Sequence, residues 1–186
     1  MNTPSKSILL AIDKIPWPDI THAYGPANDV PELILAITSC DDDVRNKAWH
    51  QLHGNLWHQG SVYEATAYAV PLFLELLKEP TVPSKHRILG YLALLFTGRS
   101  YWDVHQHLRI AQDMVKQPGF QAKLENEVKW VEATKQAVTA GKDVYVAILQ
   151  GDTSGARIGA AYLLGLIHAD DLETIEEVIK SAEQSP

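Results

Sequence analysis

Asn46, His50, His53 and Trp57 are the side chains best placed to do chemistry together. At 100° per residue they project from one side of a helix read from Val44 to Trp57, opposite a stripe of Val44, Ala48, Leu52 and Leu56. Tryptophan and histidine join apolar area to hydrogen bonding, so this set reads as a contact patch for a partner. His50-x-x-His53, with His58 and Glu64 near in sequence, also puts two imidazoles on adjacent turns, as a metal site would. Zinc would need a third ligand and outer hydrogen bonds, and the chain has neither H-E-x-x-H nor a cysteine pair. No metal or other cofactor is therefore expected.

Other reactive patterns are missing. Gly151-Asp152-Thr153-Ser154-Gly155 has its serine one place too late for a nucleophile elbow and reads as a turn with a helix cap. No glycine loop is arranged to cradle phosphate. Cys40 falls at an expected helix end, where a buried, inert thiol is the reading. As the sole cysteine it excludes an intrachain disulfide and fits a reducing compartment.

The elements that must carry these residues are helices. Asn28, with Asp29 and Pro31, opens one over Val30, Leu33, Ile34 and Ile37, and the acidic run Asp41 to Asp43 opens the next. Gly60 breaks the chain, and Ser61 with Glu64 forms an S-x-x-E capping box for a helix that Pro71 should bend or split. Ser84 caps a helix over Lys85–Phe96, apolar nearly all round and so expected mid-stack. Further helices are marked by Val104, Leu108, Ala111 and Val115; by Leu124, Val128, Val131 and Val138; by 144–149; and by Ala156, Ala160, Leu163, Leu164 and Ile167. Asp170 and Glu173 cap a last one over Leu172, Ile175, Ile179 and Ala182. Residues 1–27, where Trp17 stands between two prolines, read as a capping segment with Trp17 and Tyr24 as lids on the core. Residues 28–186 read as the helical domain. No strand-like alternation appears, so the fold class is all-α.

Two patterns recur along the chain. Val30-Pro31-Glu32-Leu33-Ile34 returns as Val70-Pro71-Leu72-Phe73-Leu74, and Val44-Arg45 with Ala48 and Leu52 matches Ala156-Arg157 with Ala160 and Leu164. Asp41-Asp42-Asp43-Val44-Arg45-Asn46-Lys47-Ala48 resembles the second-helix opening of the HEAT-like (armadillo-type) repeat family, and Asp152 to Leu164 follows it more loosely. The resemblance covers 28–99 and 140–182, while 100–139 departs from it. The block Trp49 to Thr66 is similar to that of small bacterial HEAT-like proteins. This likeness implies an α-α superhelix of about four helix pairs, second helices lining a concave surface, and arginines 45, 87 and 157 paired with carboxylates between repeats. It implies a habit of binding but no reaction. The His-Glu dyads of the iron-dependent HEAT-like hydroxylases are missing, and the basic groove of the DNA-repair members has no counterpart in a chain of net charge −7.

That charge, with no basic run, argues against nucleic acid as the ligand. The apolar patch Ile8–Ile12 is too short for a signal peptide or a membrane span, so the expected compartment is the cytoplasm. The leading expectation is a non-enzymatic module holding a protein partner on its concave face, with regulation or toxin neutralisation among its conceivable roles. The alternative is a metal-dependent or enzymatic protein using His50 and His53. A third reading is a subunit of a homo-oligomer, joined through Trp57, Tyr91, Tyr101 and Trp102.

Overall fold

The computed structural model describes residues 6–169 together with Asp171, Glu176 and Lys180. The final helix expected over Leu172, Ile175, Ile179 and Ala182, with its Asp170–Glu173 cap, lies outside the described residues. The described chain is mostly helical. Helix α1 spans Lys6–Ile12, α2 Val30–Ala36, α3 Asp42–Asn55, α4 Glu64–Lys78 and α5 Lys85–Phe96. After them come α6 Tyr101–His105, α7 Gln112–Val115, α8 Phe120–Thr139, α9 Lys142–Gly151 and α10 Ser154–Ile167. None of the described helices is long and apolar enough to cross a membrane.

Two small hairpins interrupt this pattern. Strand β1 (Thr21–His22) pairs antiparallel with β2 (Gly25–Pro26), and β3 (Trp57–His58) with β4 (Ser61–Val62). Gln59 and Gly60 link the second pair with φ of 52° and 87°. Two successive positive φ values give the tight turn whose twist suits a hairpin, and the glycine takes the second at no steric cost. Ser61 also forms a parallel bridge to Arg99, tying this hairpin to the chain beyond α5.

The stretch 57–62 therefore differs from the sequence reading. Helix α3 stops at Asn55, so Trp57 leaves its axis and joins β3. Ser61 lies in β4 and does not cap α4, which starts three residues later. Tyr63 occupies the cap position, and its N–H donates to the Thr66 hydroxyl at 3.0 Å. Helix α4 runs through Pro71 as one element, neither split nor ended there.

One core joins α1 to α5 with α8, α9 and α10. Trp49, Phe73 and Tyr91 meet at its centre, Trp49 stacked on Phe73 and edge-on to Tyr91. Trp17 seals the N-terminal end as expected, buried, with its Nε1–H donating to the Ile12 carbonyl at 3.0 Å. Tyr24 is no lid: its ring is 69% exposed. Val44 also departs from its stripe, exposed while Ala48, Leu52 and Leu56 are buried.

Residues 100–139 depart most. The single helix expected over 104–115 is broken into α6, a 3-10 turn at Arg109–Ala111, and α7; Val104, Leu108 and Val115 are exposed. On α8 Val128 faces out, while Glu127, Thr134 and Val138 face in.

Helices α3, α5 and α10 lie side by side. Between α3 and α5, Arg87 bonds to Asn46 and Tyr91 packs on Trp49 and His53. Between α5 and α10, a Cβ on Gly155 would sit 3.8 Å from the Cβ of His86, and one on Gly159 3.0 Å from that of Leu89. Each set of contacts advances in the same direction along both helices, so all three run parallel. Helix α4 touches α2 on one side and α9 on another, and α8 packs across α4 and α5.

Candidate functional site

The four residues singled out by spacing do not share one patch. His50 is exposed on α3. Asn46 is exposed, but its Oδ1 accepts from Arg87 Nη1 at 2.7 Å. His53 is half-buried, with Nδ1 2.8 Å from the Trp49 carbonyl and its ring against Tyr91 at 4.5 Å between centroids. A carbonyl can only accept, so Nδ1 carries a proton and donates to it. Trp57 sits apart in β3, half-buried, its indole N–H enclosed without a hydrogen-bond partner. Among the described residues, no three His, Cys, Asp or Glu side chains are grouped to hold a metal ion.

Two of the three arginines expected to pair with carboxylates between repeats, Arg45 and Arg87, are used otherwise. Arg45 binds Asp42 within its own helix and the Ser39 carbonyl. Arg87 bonds to the Asn46 amide and lies over the Trp49 ring at 5.3 Å. Burial, and then the neighbouring Arg45 charge, lower the Arg87 guanidinium from its ordinary value. A cross-helix ion pair does exist, at Lys85 Nζ to Asp152 Oδ2, 2.7 Å and mostly buried. Burial alone would raise the Asp152 carboxyl. Hydrogen bonds from Lys85 and the Thr153 N–H, with the Lys85 charge, outweigh this and hold it below the usual carboxylate range.

Two polar centres escaped the sequence reading. The first joins the hairpins to the end of α3. His22 Nδ1 accepts the Tyr24 N–H at 3.0 Å, so Nε2 bears the ring proton and donates to Asp29 Oδ1 at 3.0 Å. Asp29 Oδ2 accepts from Asn55 Nδ2 at 2.7 Å. The side chain read as part of a helix start thus caps nothing and clamps three segments. Tyr24 Oη meets His58 Nδ1 at 3.3 Å above it. In the second centre the buried Glu127 Oε2 accepts from the Ser100 hydroxyl and the Trp102 N–H, both at 2.8 Å. Burial, with the Glu127 charge adding to it, pushes the nearby Tyr63 phenol up to about 12. Both centres clamp separate segments together, and the Ser100 hydroxyl donates its proton to Glu127.

One uncovered side lies across α3, α5 and α10. On α5 the side at Arg87 and Tyr91 meets α3, the side at His86 and Leu89 meets α10, and Ile88, Leu92 and Leu95 enter the core. Gly90 and Leu94 fall between, on the open side, with nothing within 4 Å of a Cβ placed on Gly90. Ile158 and Tyr162 hold the corresponding positions on α10, and His50 on α3. Leu94, Ile158 and Tyr162 are 37%, 71% and 64% exposed. The patch expected for self-association is not formed as read, because Tyr91 is buried and bonded to the Leu52 carbonyl. Cys40 is exposed rather than buried. Comparison with protein-family models, curated proteins and solved structures returns no match.

Proposed function

We propose that the chain is a non-enzymatic protein-binding module whose helix pairs α2/α3, α4/α5 and α9/α10 stack in the manner of a HEAT-like solenoid. In this reading the open side of α3, α5 and α10 receives the partner. The stacking is supported by neighbour order: α2, α4 and α9 touch in turn, and so do α3, α5 and α10. Each pair alone would leave an apolar flank in water, which the next pair covers.

One observation carries the binding role. Ile158 and Tyr162 stand 71% and 64% exposed one turn apart, on a helix flanked by Gly90 and Leu94. Single exposed apolar residues are ordinary, whereas large ones adjoining across parallel helices mark a docking surface. Of the four residues expected to contact a partner, Asn46, His50 and His53 lie on α3, and Trp57 lies in β3.

Affinity capture from the source cells tests the reading, using wild type, Ile158→Glu, and a control Tyr68→Glu on α4, away from the proposed face. The expected result is one stoichiometric partner held by wild type and by Tyr68→Glu and lost by Ile158→Glu. Absence of any stoichiometric partner, or equal loss from both variants, overturns it.

A further inference from the structure

From the charge on the open α3–α5–α10 side we infer that the segment docking there is an acidic amphipathic helix, its apolar stripe on Leu94, Ile158 and Tyr162 and its carboxylates toward Lys47 and His86. The inference rests on the binding role proposed above and adds the partner's chemistry. The chain carries 23 acidic and 16 basic residues, yet α5 and α10 contain no Asp or Glu at all. On α3 the acids are confined to the first turn, at Asp42 and Asp43, next to the capping Asp41. Asp42 is already engaged by Arg45, and Asp41 accepts from the Asp43 and Val44 N–H groups.

Lys47 and His86 are exposed and no carboxylate among the described residues pairs with either. Arg87, between them, is held by an amide and a ring instead of an anion. Beyond the first turn of α3, this side of an acidic molecule shows no carboxylate on its three helices and presents the Lys47 ammonium and the His86 ring N–H, which is complementary to a negative partner there. The apolar residues dictate the rest of the shape. Ile158 and Tyr162 are one turn apart, and Gly90 on α5 has open space above it, with nothing within 4 Å of a Cβ placed there. A helix with apolar residues at i, i+3 or i+4 and i+7 fills such a surface with one face. The acids of the α3 first turn then fix polarity, since they repel the carboxylate-rich end of the guest toward α5 and α10.

A photo-crosslinking residue at Ile158 of the full chain, activated in the source cells, tests this by mass spectrometry of the adduct. The expected adduct joins Ile158 to a partner segment of net negative charge with helically spaced apolar residues. Its yield should drop about tenfold in Lys47→Glu/His86→Glu, two surface changes, with circular dichroism unaltered, and should fall with added salt. A captured segment that is neutral or basic, an adduct with a second copy of this chain, or a yield indifferent to the double reversal overturns the acidic-helix inference and leaves the binding role standing. No adduct at all removes both.

Discussion

Glu127 shows how much a single side chain can decide. A helix that displays Leu124, Val128 and Val131 invites burial of that stripe, yet Val128 is exposed and a carboxylate goes inside. The reason is the pair of donors it meets, the Ser100 hydroxyl and the Trp102 N–H. Removing the acceptor orphans both, at about 1–3 kcal/mol for each buried donor left unpaired. Glu127→Ala should therefore lower the urea midpoint markedly, while Glu127→Gln, which keeps an acceptor oxygen, should lose less. Equal losses would show that volume rather than hydrogen bonding holds the site. Asp152 gives a pH signature. Its folded pKa lies below the unfolded value of about 3.9, so it stabilises the fold above that value and the contribution is lost as pH falls through the folded pKa. In wild type the stability difference from Asp152→Asn should be constant near neutrality and shrink below about pH 4, as read by urea melts at stepped pH. None of this was visible in the chain alone, because a glutamate in an amphipathic pattern signals solvent until its distant donors are known.

Elements were legible where local rules and packing agreed. The expected span Lys85–Phe96 is the observed α5, since its apolar residues face three neighbours at once, α3, α10 and the core, and leave only Gly90 and Leu94 on the open side. Where Ser61 and Glu64 matched a capping box, a competing hairpin won. Gly60 and Gln59 turn the chain back at once, Ser61 joins β4, and the Glu64 carboxylate meets the Thr21 N–H at 3.3 Å instead. Strands of two residues have no periodicity to read, so the turn dipeptide was their only signal. Among the glycines within helices, the closest approach to a neighbouring element is at Gly159, where α10 lies against α5. A methyl there would stand 3.0 Å from the Leu89 Cβ and 3.3 Å from its Cδ1. Helix propensity favours Gly159→Ala by up to about 1 kcal/mol, but overpacking costs about 1–3 kcal/mol. Net destabilisation is expected in a thermal melt. A stabilised variant would mean that α10 shifts away from α5 with little penalty, and the side-by-side register of α3, α5 and α10 would then be softer than its contacts imply.

At the scale of the whole molecule, burial is uneven in a way that predicts how the chain opens. Helices α4 and α5 contribute the largest share of fully buried side chains, and α1, α8, α9 and α10 all pack on one or both of them. Helices α6 and α7 bury none of their residues, and α6 is tied down chiefly through Glu127. Local opening costs least where few apolar contacts are broken, so stability should grade from 101–117 up to α4 and α5. Brief trypsin treatment should cut first after Arg109 and Lys116, both exposed, and amide exchange should be slowest in α4 and α5. Glu127→Ala, by releasing α6, should speed the cut at Arg109 more than it accelerates exchange in α5. First cleavage at Lys85 or Lys78 would place the weak point inside the core pair. The gradient also bears on the proposed binding role: α10, which carries Ile158 and Tyr162, packs along α5, one of the two helices expected to open last. A partner meeting such a surface does not have to order the receiving helices, and the entropy cost of docking falls on the guest alone.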